Sequence, residues 1–403
     1  MNSPPVAVAA ASSSSSTAQV LPDQTRVSST FASPLPPSAV VPWSGPPPAV
    51  LGNVAYDNLA RAARLDGVNG AHSLGYNAAC ALPADETNTG LVNLGNTCYG
   101  NALLFALSKV PRVRRWLQEH ARLAADASVS HDRHCMLCAL AADIRVLTTA
   151  QSGVPFPPRV MQRRGEWNRA FANRAQQDAH EAFVTLLQYC DRIDVAALRM
   201  HADCRTMSEE DYNISSHAYS TPFWQTFGNL QLVNTSCTAC NYMSVSYERA
   251  HALALDLSPS PGDNVSTLLR TYLAPEALDA HFRCDSCGER GHGVKQNRVL
   301  YWPPVLAVSL KRFTFDPTTL TPQKIMYHVR FDMTLHGFSD TPYQLRALIE
   351  HRGETLRSGH YVAYVRTDAG DWYLCNDSAS PELVVENNVL QRRAYMLIYD
   401  GLF

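Results

Sequence analysis

Apolar residues recur three and four positions apart from Gly90 to about Leu198, which is the spacing of helices. From about Phe223 onward their spacing is typical of strands. Four segments between Gly90 and about Leu198 show the helical spacing, namely NALLFALSKV, RVRRWLQEHARLAADA, MLCALAADIRVL and QQDAHEAFVTLLQYCDRI. From about Phe223 the runs become short and rich in β-branched or aromatic residues, as in VLAVSLKRFTF, HYVAYVRT, DWYLCND and AYMLIYD. Helices followed by strands predict an α+β protein with a cleft between its two parts.

Most of the first 89 residues lack this pattern. Residues 1–50 hold ten prolines, almost no charge and low-complexity stretches such as ASSSSSTAQV, which predict a disordered or polyproline-like tail. Residues 51–89 form an N-terminal extension in which Tyr56 to Leu65 has helical spacing and the rest is expected to be loop. The globular domain is therefore expected over residues 90–403.

Charge and cysteine content restrict the class of protein. The formal net charge of −2 gives no argument for nucleic acid or an anionic membrane as a partner. No apolar run approaches the roughly 18 residues of a membrane span, and the N-terminus lacks the pattern of a secretory signal. Eleven cysteines, an odd number, favour a reducing compartment in which cysteines bind metal or react. We expect an intracellular monomer, cytoplasmic, nuclear or both.

One cysteine stands at the start of the first predicted helix, in GLVNLGNTCYGNALLFAL. Asn96 or Thr97 is a suitable N-cap, which places Cys98 in the first helical turn. The unpaired N–H groups and the helix dipole there favour an anion, and the thiolate is the nucleophilic form of cysteine. This stretch alone fits a nucleophile and a small buried core cysteine equally well.

A cysteine nucleophile needs a base, and the base needs a group that orients it. His360 follows a Ser-Gly turn at the head of an alternating strand in SGHYVAYVR, and a second strand, DWYLCNDS, follows after TDAG. A hairpin of this length returns Asn376 and Asp377 to the side of His360. Taken alone, His360 fits an ordinary strand-end histidine. Together with Cys98 it predicts Cys–His–Asn/Asp hydrolysis.

Five ordered segments between about Gly90 and Asp400 resemble the ubiquitin-specific proteases, the papain-like cysteine deubiquitinases. They are the cysteine box quoted above, QQDAHEAFVTLL, VLAVSLKRFTFD, the histidine box SGHYVAYVR…DWYLCNDS and the closing strand AYMLIYD. The resemblance implies a papain-like α+β fold with a helical thumb, a β-rich palm and zinc-bearing β fingers at about residues 223–300.

The resemblance also implies catalytic roles. Cys98 is the nucleophile, His360 the general base and later acid, and Asn376 the third member of the triad. Many family members have aspartate at the third position, and some have asparagine followed by aspartate, as here. Asn376 can fix the imidazole tautomer but cannot offset its positive charge, so Asp377 is the second candidate. Asn93 matches the asparagine that, with the backbone N–H of Cys98, donates to the oxyanion.

Three further residues are implied to bind the substrate. Gly359 would let the backbone lie against the extended Gly-Gly end of ubiquitin. Asp178 and Glu181, three positions apart on one helix face, would contact the arginine-bearing tail of ubiquitin. An ordinary solvated acidic face is the alternative for these two carboxylates.

Two Cys-x-x-Cys pairs, Cys237 with Cys240 and Cys284 with Cys287, have the ligand set of a closed structural zinc site. The 43 residues between the pairs predict two separate hairpins that meet at one ion, as at the tip of the family's fingers. Four free thiols or redox pairs are the alternatives. A further group lies in HDRHCMLC, at His131, His134, Cys135 and Cys138. It fits either a second zinc site or, as we favour, core cysteines opening a helix.

These assignments predict a cysteine-type ubiquitinyl hydrolase. It would cleave the isopeptide or peptide bond after the C-terminal glycine of ubiquitin, with ubiquitin and ubiquitinated proteins as partners and no catalytic cofactor. Two alternatives remain open, a non-catalytic ubiquitin-binding scaffold and a protease for a ubiquitin-like modifier. A zinc-dependent hydrolase is disfavoured because the paired cysteines fill the metal shell and the chain has no His-Glu-x-x-His motif.

Overall fold

The computed structural model describes the short strand Val27–Ser29 and seven stretches of the remaining chain. These stretches are residues 85–125, 134–149, 153–199, 221–258, 261–316, 321–355 and 358–402. Apart from that strand, the predicted tail and the extension up to residue 84 lie outside the described residues. Within the described part of the chain, every helix is too short or too polar to cross a membrane.

The N-terminal half of the described chain is helical, as predicted. Its main helices are α1 Cys98–Ser108, α2 Pro111–Ala124, α3 Met136–Thr149 and α6 Ala179–Arg199, with shorter helical segments at α4 Arg159–Gln162, α5 Arg164–Trp167 and a 3₁₀ turn at Arg169–Ala172. Every residue of α1 is buried, which suits a helix that is apolar on all sides. Pro111 opens α2 at the one helical position where a missing N–H is harmless.

The C-terminal half forms a large sheet in the strand order β14-β13-β12-β11-β15-β7-β4, with β10 also pairing with β11. The strands are β4 Leu253–Leu255, β7 Val305–Leu310, β10 Thr334–Leu335, β11 Tyr343–Arg352, β12 His360–Arg366, β13 Trp372–Cys375, β14 Glu382–Val384 and β15 Ala394–Gly401. Only the β4–β7 pair is parallel among these described pairings.

Both faces of this sheet are buried. Successive side chains of a strand point to opposite faces, so one strand contributes to two separate cores. On β12, Tyr361 and Ala363 join the core shared with α1, α3 and α6. Val362 and Tyr364 join a second core on the opposite face. Helix α8, Val265–Leu273, covers that second face, and α9, Glu386–Leu390, lies at its margin. Helix α1 lies directly on strands β11 and β12.

A second antiparallel sheet follows the short helix α7, Pro222–Phe227, with the order β1-β3-β2-β6-β5. Its strands are β1 Val27–Ser29, β2 Asn229–Cys237, β3 Met243–Ala250, β5 Glu276–Ala277 and β6 Gly293–Tyr301. A separate hairpin joins β8 Phe313–Asp316 to β9 Thr321–Lys324. The α+β class is confirmed, and the second sheet lies where the fingers are expected.

Candidate active site

The hairpin formed by β12 and β13 brings Asn376 beside His360. Ala363 is paired with Cys375, so the residues that follow Cys375 return toward the start of β12. The Nε2 atom of His360 lies 2.6 Å from the Oδ1 atom of Asn376. Since an amide oxygen can only accept, Nε2 carries the proton and donates it. The other ring nitrogen, Nδ1, is then the one that can exchange a proton with a thiol.

Cys98 supplies that thiol from the first position of α1, where it is 2% exposed. A hydrogen bond with Cys98 is the largest influence on His360, and it raises the pKa of the imidazole to about 9 against the opposing effect of burial. The hydrogen bond to Asn376 and the charge of Asp377 raise that pKa further. His360 is therefore held as an imidazolium beside the sulfur at neutral pH.

The loop before Cys98 is folded around the side chain of Asn93. Its Oδ1 atom accepts the N–H groups of Gly95 at 3.0 Å and of Thr97 at 3.1 Å. Gly95 and Asn96 both have positive φ, at 94° and 53°, which explains a glycine and an asparagine at these two positions. The Nδ2 atom of Asn93 donates to the Oδ2 atom of Asp377 at 2.8 Å.

Asp377 joins the histidine hairpin to the cysteine-bearing segment. Its Oδ2 atom is 3.9 Å from Nε2 of His360, and its Oδ1 atom accepts from Nδ2 of Asn101 at 2.8 Å. Its carbonyl oxygen accepts the N–H of Leu91 at 2.7 Å. Asn101 is fully buried in α1. Sequence reasoning missed this residue, although one asparagine within an apolar helical run is a usable signal.

Comparison with known proteins agrees with this geometry. The family model "Ubiquitin carboxyl-terminal hydrolase" matches residues 89–399. The chain belongs to this family.

Among its curated relatives is ubiquitin carboxyl-terminal hydrolase 36 of Drosophila ananassae, which is 27% identical over 324 residues, 78% of this chain and 28% of the relative. The same-named protein of Drosophila melanogaster is 26% identical over 324 residues, 78% of this chain and 30% of the relative. The chain thus spans less than a third of the length of these relatives.

Solved structures of the SAGA deubiquitinase module share the fold. The Ubp8 module bound to monoubiquitin has a TM-score of 0.62 and 21% sequence identity, with 87% of this chain and 76% of that chain covered. The module bound to ubiquitin aldehyde has a TM-score of 0.61, also at 21% identity, with 87% of this chain and 77% of that chain covered. The helical part, the large sheet and the second sheet of the present chain correspond to the expected thumb, palm and fingers.

The two carboxylates implied to bind substrate differ in their setting. Asp178 directly precedes α6 as its cap, and its Oδ1 atom accepts the N–H of Glu181 at 2.9 Å. The hydroxyl of Tyr395 donates to its other oxygen. Glu181 is exposed in the first turn of α6. Its carboxyl group loses part of its hydration to neighbouring atoms and faces the charge of Asp178, and both effects raise its pKa.

Gly359 precedes His360 and lies on top of His351. A Cβ atom at Gly359 would be 2.6 Å from Cε1 of His351 and 2.7 Å from the carbonyl oxygen of Arg352. The structure therefore gives a packing reason for glycine at this position, and its role beside a substrate stays a prediction. The side chain of Gln176 donates to the carbonyl oxygen of Gly359. A cleft of about 710 Å³ opens between Gln176, Gly359 and Asn96.

The two Cys-x-x-Cys pairs meet at the end of the fingers sheet. The Sγ atoms of Cys237 and Cys287 are 3.8 Å apart, and those of Cys240 and Cys284 are 3.7 Å apart. Tetrahedral zinc with Zn–S bonds of about 2.3 Å places its sulfurs about 3.8 Å apart. The four side chains thus fit one closed, structural zinc ion.

The remaining cysteine pair has a histidine partner that the sequence did not indicate. His131 lies outside the described residues, and His134 is exposed with its carbonyl accepting from Arg163 at 2.5 Å. Instead, His120 of α2 approaches Cys135 and Cys138.

Proposed function

We propose that this chain is a thiol-dependent deubiquitinase that hydrolyses the bond after the C-terminal glycine of ubiquitin. The observation that carries the proposal is the Cys98–His360–Asn376 arrangement, in which two distant boxes of the sequence supply a nucleophile, a base and an orienting group. The family match supports ubiquitin as the substrate, as do the structural neighbours bound to monoubiquitin and to ubiquitin aldehyde.

The first half of the reaction forms a thioester. The thiolate of Cys98 attacks the carbonyl carbon of the C-terminal glycine, and the carbonyl oxygen becomes an oxyanion. Asn93 has one N–H directed to Asp377, and its second N–H can serve the oxyanion together with the backbone N–H of Cys98. His360 then gives its proton to the departing lysine amine, which completes cleavage of the amide bond.

The second half releases ubiquitin. Neutral His360, still oriented through Nε2 by Asn376, removes a proton from water. The resulting nucleophile attacks the thioester carbonyl, and the sulfur of Cys98 leaves as the thiolate. Asp377 supports both halves because its negative charge favours the imidazolium and its carboxylate orients Asn93.

The substrate tail is assigned to the cleft beside Gly359, with Glu181 and Asp178 available to its basic side chains. The zinc ion is assigned to the four finger cysteines, where it would join the two Cys-x-x-Cys segments without taking part in the chemistry. Intracellular location, a monomeric state and the lack of nucleic-acid or membrane partners stay predictions from the sequence.

The decisive experiment mixes the full chain with ubiquitin that carries a thiol-reactive electrophile at its C-terminus and measures intact mass. We expect one ubiquitin adduct on the wild type and none on Cys98→Ala. Binding without an adduct would support the scaffold alternative. An adduct formed with a ubiquitin-like modifier and not with ubiquitin would support a different modifier as the substrate.

A further inference from the structure

A second group of metal-binding side chains lies on the thumb helices, outside the catalytic hairpin and the fingers. His120 is on α2, Cys135 directly precedes α3 and Cys138 is in the first turn of α3. The Nε2 atom of His120 is 3.4 Å from Sγ of Cys135 and 3.5 Å from Sγ of Cys138. The three ligand atoms all lie within 4.8 Å of one another.

These distances are those of ligands around one zinc ion. With Zn–S of about 2.3 Å and Zn–N of about 2.0–2.1 Å, tetrahedral geometry places a nitrogen and a sulfur about 3.6 Å apart. A hydrogen bond explains the arrangement less well. One imidazole nitrogen carries either one lone pair or one hydrogen, so it makes one directed bond, whereas Nε2 of His120 is almost equally close to two sulfurs.

The surroundings suit a soft metal held at a protein surface. Cys135 is 6% exposed, Cys138 is half-buried, and the ring of Trp116 lies 5.8 Å from that of His120. Among the described residues, the close group contains sulfur and nitrogen and no carboxylate, so it favours zinc over magnesium or calcium. The partial exposure of Cys138 lets a water molecule complete four-coordination.

The backbone beside the group is held independently of any ion. Arg163 donates to the carbonyl oxygen of His134 at 2.5 Å, and the N–H of Ala139 donates to the carbonyl oxygen of Cys135 at 3.2 Å. Cys135 and Cys138 are therefore presented on one face at the start of α3, toward α2. Fourteen residues separate His120 from Cys135, so an ion here would close that connection.

We propose that His120, Cys135 and Cys138 bind a second zinc ion that fastens the start of α3 to α2. This site is independent of the proposed hydrolysis and of the finger cysteines.

The test measures zinc per chain by mass spectrometry of the metal in the purified full-length protein. The background is the variant Cys240→Ser/Cys287→Ser, which removes the finger ligands. We expect this background to retain one zinc ion, His120→Ala within it to lose that ion, and Cys190→Ala within it to retain it as a matched cysteine control. Equal zinc content with and without His120, in chains of equal thermal stability, would overturn the proposal.

A second measurement covers variants that fail to fold. The native wild-type chain is alkylated with iodoacetamide, with and without a zinc chelator, and its peptides are mapped. We expect Cys135 and Cys138 to react slowly until the chelator removes the metal. Rapid alkylation of Cys138 without chelator, or a Cys135–Cys138 disulfide in the isolated protein, would contradict a metal site.

Discussion

The buried amide of Asn101 on the catalytic helix donates to the carboxylate of Asp377, which lies 276 positions further along the chain. Asn93 donates to the other oxygen of the same carboxylate. Asp377 is thus fixed by two residues of the cysteine box while it lies beside His360. Through this contact, the relative position of Cys98 and His360 depends on Asn101, which has no part in the proposed chemistry.

We therefore predict that Asn101→Ala lowers kcat about 10-fold or more and changes KM little. A hydrogen bond to a charged group contributes about 1.5–3 kcal/mol, and its loss frees Asp377 to move. Steady-state hydrolysis of a fluorogenic ubiquitin substrate gives both constants, with the exposed Asn387→Ala as control. A fall in thermal stability without a fall in kcat in the folded variant would show that Asn101 serves only the core.

The two candidates for the third triad position should differ in effect. Asn376→Ala removes the hydrogen bond from the His360 imidazolium, worth about 1.5 kcal/mol at the low end for a charged group, and leaves Asp377 within 3.9 Å of the imidazole, so we expect roughly a 10-fold loss of kcat/KM. Asp377→Ala removes a charge and strands the amides of Asn93 and Asn101, so we expect a larger loss. The opposite order in kcat/KM would place the orienting role on Asn376 alone.

The pattern of apolar residues predicted the helical first half, the sheet and the hairpin that returns Asn376, because these depend on local periodicity and turn residues. It did not reveal His120 as the partner of Cys135. The histidines considered with these cysteines, His131 and His134, lay in the same short segment, whereas His120 is brought close by the packing of α2 on α3. The periodicity also did not show that Asp178 caps α6, because the start of a helix depends on capping hydrogen bonds and not on the spacing of apolar residues.

The raised pKa of His360, about 9, predicts the alkaline limit of activity. The imidazolium must protonate the leaving amine, so kcat/KM for a lysine-linked substrate should fall as pH rises through about 9. Since the folded pKa lies above the usual value of about 6.5, protonation of His360 stabilises the fold fully below pH 6.5, and this stabilisation is lost as pH rises through 9.

Nuclear magnetic resonance titration of the His360 ring checks this assignment. Because the hydrogen bond with Cys98 is the largest cause of the shift, the pKa of His360 should fall in Cys98→Ala. Asp377→Asn should also lower it and move the alkaline limb of the rate profile in the same direction. A ring pKa that stays near 9 in Cys98→Ala would show that the hydrogen bond with Cys98 is not the main cause of the raised value.

Loss of the zinc ion proposed for the finger cysteines should affect substrate binding more than chemistry. The four cysteines join the two Cys-x-x-Cys segments at the end of a sheet in which β3 and β6 are mostly half-buried, so Cys240→Ser/Cys287→Ser should loosen the fingers without moving α1. We expect a several-fold higher KM for ubiquitin substrates and an unchanged rate of Cys98 labelling by a small electrophile. Slower labelling in the folded variant would mean that the metal supports the catalytic centre itself.

Gly359→Ala should disable the enzyme through the backbone that carries His360. The added Cβ would lie 2.7 Å from the carbonyl oxygen of Arg352, and β11 and β12 pair Arg352 with His360, so the clash displaces the base directly. We expect kcat to fall at least 100-fold while ubiquitin still binds in a calorimetric assay, with the exposed Ser358→Ala close to wild type. Adding His351→Ala removes the ring below but not the carbonyl oxygen, so it should restore only part of the activity. Full activity of Gly359→Ala alone would show that the strand ends can separate without loss of the Cys98–His360 contact.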